Sequence, residues 1–498
     1  MKKMKRFTVA SALAGLIIVS PMMQSHAATT APVQKEVLSK TTQTTLNNML
    51  KTSKIALGVS IRDAKTGATL YSYNAKNLMS TASNMKLLTA AAALDTLGEN
   101  YRFKTVVKTT GKIKKNGTLM GDVYLVGQGD PTLHKSDLTK FAQALKAKGI
   151  KKINGHVYGD ESYFDHNYVA PGINKKDSLT YYGAPVSALA LSPNNEYDTG
   201  TVVVYVKGLK EGKAPKVAFS AQGHLEVVNK AKTVKKGERT SISISRAYGT
   251  NKVYVSGQIA EGSKKDKWIS VDNPSKHTMT IFEDEIVKQG IAVKNPGFKL
   301  AVTPKKGTTT IVTDQSVKLS SIMIPFMKLS NNGIADTLTK AMGKKVFDKG
   351  TNADGVKAIE QYAVTHKVST KNWTFIDGSG LSSQDRVTAE QMTKFLYHTQ
   401  KAKFYKTYYT SLPVAGNNDR LVGGTLRSRL TAPDLQGRVV AKTGSINNVR
   451  TLSGYVTQKD GDPVIVSVLT RGTNSTSFID SVVTTIVNDS VLTTAKKK

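Results

Sequence analysis

The sequence predicts an α/β (α+β) chain: a sheet flanked by helices, built from both ends of the chain and interrupted by a large insertion. Three observations carry this. Helical apolar periodicity runs from residue 83 to about 97 and returns after 311. Period-two apolar runs lie at 55–61 and 69–73 near the start, and at 438–441, 452–457 and 464–469 near the end. Between about 100 and 310 the text changes to short β-like runs divided by Gly, Lys and Asn turns.

Taken in order, residues 1–27 match an export signal. Lys2, Lys3, Lys5 and Arg6 precede an apolar run from Val9 to Val19 and small residues at Ser25 and Ala27. The run is shorter than the ~20 residues a spanning helix needs, so removal is expected and the chain is expected to work outside the cytoplasm. Residues 28–100 and 311–498 are expected to form one domain. Ile55 to Ile61 and Thr69 to Tyr73 flank the turn Asp63-Ala64-Lys65-Thr66-Gly67, a hairpin signature. A helix begins at Ser83 and stops at Gly98.

The insertion is expected as a mixed α/β region, 101–190 plus 276–310, enclosing a more purely β region, 191–275. Runs at 121–126, 202–206, 241–245 and 252–258 are its strand candidates, and 141–149 and 279–290 its helical stretches. Helical text then follows at 320–329, 335–342, 355–366 and 389–397, and a last helix at 478–487.

Composition excludes several chemistries. The 498 residues contain no cysteine, which removes disulfides, thiolate metal sites and cysteine nucleophiles. The eight histidines show no paired ligand spacing, so no metal and no cofactor is expected. No Gly-x-Ser-x-Gly elbow supports a Ser-His-Asp triad. Lys and Arg number 71 against 36 Asp and Glu, a net charge of +35. The lysines are scattered, with no basic helix or aromatic-interleaved strand, so nucleic acid is not the expected partner. An anionic cell wall fits the excess, as does a merely solubilising surface.

Three short elements carry the chemistry: Ser83-Asn84-Met85-Lys86, Ser330-Asn331-Asn332 and Lys442-Thr443-Gly444. A serine and a lysine three apart on a helix share a face, so the amine reaches the hydroxyl and acts as its base once burial plus a nearby second cation, for which Lys442 is the candidate, lowers its pKa. Ser83 is the only serine followed three positions later by lysine. The other two signals are weak alone: Ser-x-Asn recurs at Ser72, Ser192 and Ser445, and Lys-Thr-Gly recurs at Lys65. The copy at Lys65 lies in the hairpin turn, where such residues serve the turn. Lys442 instead ends a strand-like run, where a sheet edge can clamp a carboxylate.

With these elements in this order, the chain resembles the class C low-molecular-mass penicillin-binding proteins, D-Ala-D-Ala carboxypeptidase/endopeptidases, most of all the Bacillus-type secreted carboxypeptidases. Ala82-Ser83, Tyr182 to Leu189, Asp377 to Ser382, Leu412 to Gly416 and Leu452 to Val456 share the resemblance, which covers essentially the whole chain after the signal. It implies a serine β-lactamase/transpeptidase-like catalytic domain split, between its first two motifs, by roughly 240 residues that form two further domains.

Residue by residue, the resemblance implies Ser83 as the acylated nucleophile, Lys86 as its base and Ser330 as proton relay to the leaving amine. Asn332 would hold the substrate amide, Lys442 would shape the field, and Thr443 and Ser445 would bind the terminal carboxylate. Asp177, Tyr181 and Tyr182 would touch the substrate side chain, an acidic group there suiting a diaminopimelate amine. Some relatives carry arginine where this chain has Ser383. The expected substrate is the peptidoglycan stem peptide, with β-lactam antibiotics as slowly released acylating inhibitors. A β-lactamase and a basic, non-catalytic wall-binding protein are the rivals, told apart by rapid penicillin turnover and by absence of acylation.

Overall fold

The computed structural model describes residues 36–489 and 491–493. The expected export signal at 1–27 lies outside the described residues, among which no helix is long and apolar enough to cross a membrane.

The central sheet is antiparallel and five-stranded, in the order Val439–Ile446, Val449–Thr457, Pro463–Arg471, Ala56–Asp63 and Thr69–Tyr73. The two ends of the chain thus share one sheet through the pairing of Ala56–Asp63 with Pro463–Arg471. Alternation sorts its side chains onto two faces. Val439, Ala441, Val464, Val466 and Val468 face a core closed by the helices Lys40–Thr52 and Ser477–Val487. Val440, Ile465 and Leu469 face the larger core, built on the helices Met85–Leu97, Leu319–Lys328, Asn332–Phe347, Asn352–Thr365 and Ala389–Thr399. In Met85–Leu97 every residue from Met85 to Leu94 is buried, so this helix runs through the middle of the domain. Its alanines at 90–93 let neighbours approach closely.

The insertion is built on a second five-stranded sheet, ordered Lys299–Leu300, Val157–Asp160, Val123–Gly127, Lys104–Thr110, Thr308–Gln315. The helices Lys135–Ala147 and Pro274–Lys288 pack on it through Leu138, Phe141, Met279 and Phe282. Between these helices the chain forms a β-rich part. One sheet there joins Lys216–Phe219, Thr201–Lys207 and Lys264–Ser270; another gathers three strands around Lys252–Ala260.

The structure differs from the sequence reading at local points. The division expected at 310/311 falls inside the strand Thr308–Gln315, which pairs with Lys104–Thr110 across some two hundred intervening residues. No local pattern announces such a pairing. The lead before residue 55 is the helix Lys40–Thr52, started by Ser39, whose hydroxyl accepts from the Thr42 N–H at 3.1 Å.

Candidate active site

Ser83 sits in the single 3-10 turn Ala82–Asn84 that opens the Met85–Leu97 helix. Ala82 is held at φ +42°, a sparsely populated conformation for a residue with a Cβ. The turn is fastened to the sheet behind it. Thr451 Oγ1 donates to Thr81 O at 2.9 Å. The buried Asn84 amide, in the orientation that satisfies both its ends, donates to Lys442 O at 2.9 Å and accepts from Ser453 Oγ at 2.7 Å. The turn carrying Ser83 is thus tied directly to the strand carrying Lys442.

One turn along the same helix, Lys86 is fully buried and donates to Ser83 Oγ at 3.1 Å, Asn332 Oδ1 at 2.5 Å and Ser379 O at 2.6 Å. Burial lowers its pKa to about 8, against the opposing pull of the Asp377, Asp336 and Asp385 carboxylates. Lys442 is likewise held well below the usual lysine range, by burial first and then by the like charge of Lys86, a repulsion the two amines share. Its Nζ donates to Thr443 O at 2.8 Å.

Ser330 occupies the bend between the helices Leu319–Lys328 and Asn332–Phe347, with left-handed φ +60°. Asn331 caps the second helix, accepting from the Ile334 N–H at 2.9 Å. Its amide nitrogen donates to Glu196 O at 3.0 Å, Tyr197 O at 3.1 Å and Asp198 Oδ1 at 3.1 Å, all on the insertion. Asn332 Nδ2 donates to Tyr182 O at 2.7 Å, while its oxygen holds Lys86. The second element therefore joins the amine beside Ser83 to the inserted region.

Lys442, Thr443 and Ser445 lie within the edge strand Val439–Ile446 of the central sheet. Thr443 Oγ1 is 2.7 Å from Thr425 Oγ1, and Ser445 is exposed. Gly444 passes so close to Ser83 that a Cβ there would lie 3.0 Å from the Ser83 nitrogen. The other Lys-Thr-Gly stays in its turn, where Asp63 Oδ1 accepts from the Lys65 N–H at 2.8 Å.

Asp177, Tyr181 and Tyr182 fall on two short 3-10 turns, Asp177–Leu179 and Tyr181–Gly183, which reach the site through the Tyr182 carbonyl. Tyr182 OH donates to Asp177 Oδ1 at 3.0 Å, and the Tyr181 and Tyr182 rings meet edge to face at 5.5 Å. Both rings are exposed.

Sequence reasoning gave no role to the three buried acids behind Lys86. Asp377 accepts from Ser379 N at 2.7 Å, Gly380 N at 2.5 Å and Ser382 N at 2.7 Å, and so shapes the loop whose Ser379 carbonyl holds Lys86. The Asp-Gly-Ser-Gly turn chemistry was the available signal for it. Asp336 and Asp385, both raised to about 8 mainly by burial and then by Asp377, carried no such signal. Arg386 does not stand in for the arginine missing at 383: its guanidinium donates to Asp385 O at 2.8 Å and to Ser383 O.

A partly exposed hydroxyl against a buried amine of lowered pKa, beside a second buried amine and a backbone N–H at the start of a helix, is equipped for acyl transfer through a serine. Comparison with known proteins agrees. The D-Ala-D-Ala carboxypeptidase 3 (S13) family model matches residues 39–488. The chain is 35% identical over 418 residues to the D-alanyl-D-alanine carboxypeptidase of Actinomadura sp. strain R39, covering 83% of this chain and 77% of that one. It is 28% identical to the D-alanyl-D-alanine carboxypeptidase DacB of Haemophilus influenzae, over 79% of this chain and 80% of that one. The crystal structure of penicillin binding protein 4 from H. influenzae has the same fold, with TM-score 0.74 and 24% identity over 88% of this chain and 97% of that one.

Proposed function

The chain belongs to the D-Ala-D-Ala carboxypeptidase 3 (S13) family, a serine-type peptidase family, and on that premise we propose that it releases the terminal D-Ala of peptidoglycan stem peptides through an acyl-enzyme on Ser83. Neutral Lys86 takes the Ser83 proton as Oγ attacks the carbonyl carbon of the penultimate D-Ala. The Ser83 N–H, at the start of the helix, and an N–H of the strand beyond Gly444 stabilise the oxyanion. Ser330 passes a proton to the leaving D-Ala amine, and the C–N bond breaks. Water then cleaves the ester.

Around the scissile bond, Asn332 holds the substrate amide, and Thr443, Ser445 and the field of Lys442 hold the terminal carboxylate. Asp177, Tyr181 and Tyr182 contact the side chain at the third stem position. Where the leaving amine belongs to a neighbouring stem, the same steps cleave a cross-link and the enzyme acts as a DD-endopeptidase. Penicillin presents its strained amide in the same place and leaves a slowly hydrolysed adduct on Ser83. A relative of the same fold is described in complex with a β-lactam. The enzyme is exported and works on the wall, where its net charge of +35 favours anionic polymers; salt should release it from isolated walls.

The observation that carries this reading is the 3.1 Å contact between Lys86 Nζ and Ser83 Oγ, with the amine buried and its pKa near 8. The test is labelled penicillin and a stem pentapeptide, each with the wild-type chain and Ser83→Ala. A stable adduct and D-Ala release, both lost in the variant, are expected. Rapid penicillin turnover would instead mark a β-lactamase, and the absence of both adduct and release would defeat the peptidase reading.

A further inference from the structure

In the proposed reaction the leaving D-Ala lies between Ser330, which gives its amine a proton, and Thr443, which holds its carboxylate. One loop, 417–425, packs on both of those elements. Gly424, at φ +55°, rests on the backbone of Lys328, two residues before Ser330: a Cβ on it would fall 2.3 Å from Lys328 O. The next residue, Thr425, meets the Thr443 hydroxyl at 2.7 Å. The loop is closed on itself, for the Gly423 N–H donates to Asp419 O at 2.7 Å and Asp419 Oδ1 accepts from the Leu421 N–H at 2.7 Å. A compact loop pinned at these points is a wall of the cleft.

From the tip of this wall Arg420 reaches the insertion. Its Nε and Nη2 donate to the two carboxylate oxygens of Glu196 at 2.5 and 2.6 Å, a bidentate guanidinium–carboxylate fork. Glu196 begins the segment 196–198 that holds Asn331. The bridge therefore joins the loop beside Thr443 to the segment beside Ser330, on the side of the cleft where the leaving residue sits. Asn331 already fastens insertion to catalytic domain through three bonds, and an ion pair with both side chains partly exposed adds little stability. Its steric consequence is larger. A terminal D-Ala ends in a methyl group and fits inside the bridge, whereas in a cross-link the leaving residue continues into a neighbouring stem and has to pass it.

We propose that the Arg420–Glu196 bridge is a specificity gate at the leaving-residue end of the cleft, favouring release of a terminal D-Ala over cleavage of a cross-link. The inference rests on the reading of the chain as a DD-peptidase. Leu421 and Val422, exposed on the same loop, flank the path that opens when the bridge is broken.

The test uses the full chain, the variants Arg420→Ala and Glu196→Ala, each of which removes one half of the fork, and the exchange of Arg420→Glu with Glu196→Arg, which re-pairs the charges. A stem pentapeptide and a cross-linked stem dimer are the substrates, with labelled penicillin acylation read on the same samples. Both single variants should raise kcat/KM for the dimer about tenfold relative to that for the pentapeptide, with penicillin acylation at the wild-type rate, and the exchange should bring the ratio back toward wild type. A ratio at or below the wild-type value in both single variants would overturn the gate, and so would a parallel loss of both activities, which is what a merely structural link would give. Absence of acylation and of D-Ala release in the wild type would instead defeat the peptidase reading, and the gate with it.

Discussion

Gly444 lies against Ser83: a Cβ built on it would fall 3.0 Å from the Ser83 nitrogen and 2.1 Å from Thr451 Oγ1. The edge strand can approach the reactive turn this closely because position 444 carries no side chain, and because Thr451 and Asn84 fasten that turn to the same sheet. The oxyanion donors of the proposed mechanism depend on that spacing.

Gly444→Ala is therefore expected to slow penicillin acylation by about 10²-fold or more, the range seen when one oxyanion donor is lost. Because the strand must move outward, circular dichroism should show a folded protein while stopped-flow acylation shows the loss. Acylation at the wild-type rate would mean the close approach has no catalytic consequence.

Acylation should follow the deprotonation of Lys86. A base with pKa about 8 is mostly protonated at pH 6 and mostly neutral at pH 10, so the second-order rate with penicillin should rise up to about pH 8 and then level. Lys86→Arg keeps the charge and loses the titration, and the rate should fall by roughly 10²–10⁴-fold across this range. A flat wild-type profile would contradict Lys86 as base.

Asp336 should make the fold less stable as pH rises. Its buried carboxyl is raised to about 8, whereas in the unfolded chain it ionises near 4. The native state thus retains a proton that the unfolded state gives up, and stability declines between those values. Asp336→Asn should raise the melting temperature relative to wild type, little at pH 4 and most at pH 8. An increment that does not grow with pH would refute this.

Asn331→Asp retains the oxygen that caps the Asn332–Phe347 helix but turns a carboxylate oxygen toward the Glu196, Tyr197 and Asp198 oxygens. Replacing a donor by a charge among acceptors should cost roughly 1–3 kcal/mol by urea denaturation, and D-Ala release should fall because Ser330 and Asn332 flank the displaced residue. Equal stability would mean that this link between insertion and catalytic domain is weak.

Asp177→Asn should raise KM for stem peptides ending their side chain in an amine by about tenfold, with kcat and penicillin acylation little changed. The Tyr182 hydroxyl that donates to Asp177 keeps an oxygen acceptor in the variant, whereas the Asn174 amide, which donates to the other carboxylate oxygen at 2.6 Å, loses one. An unchanged KM would remove Asp177 from the substrate site.

The reactive pair was legible in the sequence because it is local: three residues on one helix put Lys86 on the face of Ser83 without reference to the rest of the chain. The sheet-and-helix class and the strand carrying Lys442 were legible for the same reason, since periods of 2 and 3.6 are written along the chain. Contacts between distant segments were not. The pairing of Thr308–Gln315 with Lys104–Thr110, the Asn331 bonds to 196–198, and the burial of Asp336 and Asp385 behind Lys86 arise only on packing. Desolvation in the packed interior is the largest cause of both lysine shifts, with the Lys86–Lys442 repulsion beside it, and only packing sets its size. The residue types and their order came from the sequence alone, while the tertiary structure decided their distances and charges, because those depend on groups brought together from both ends of the chain and from the insertion.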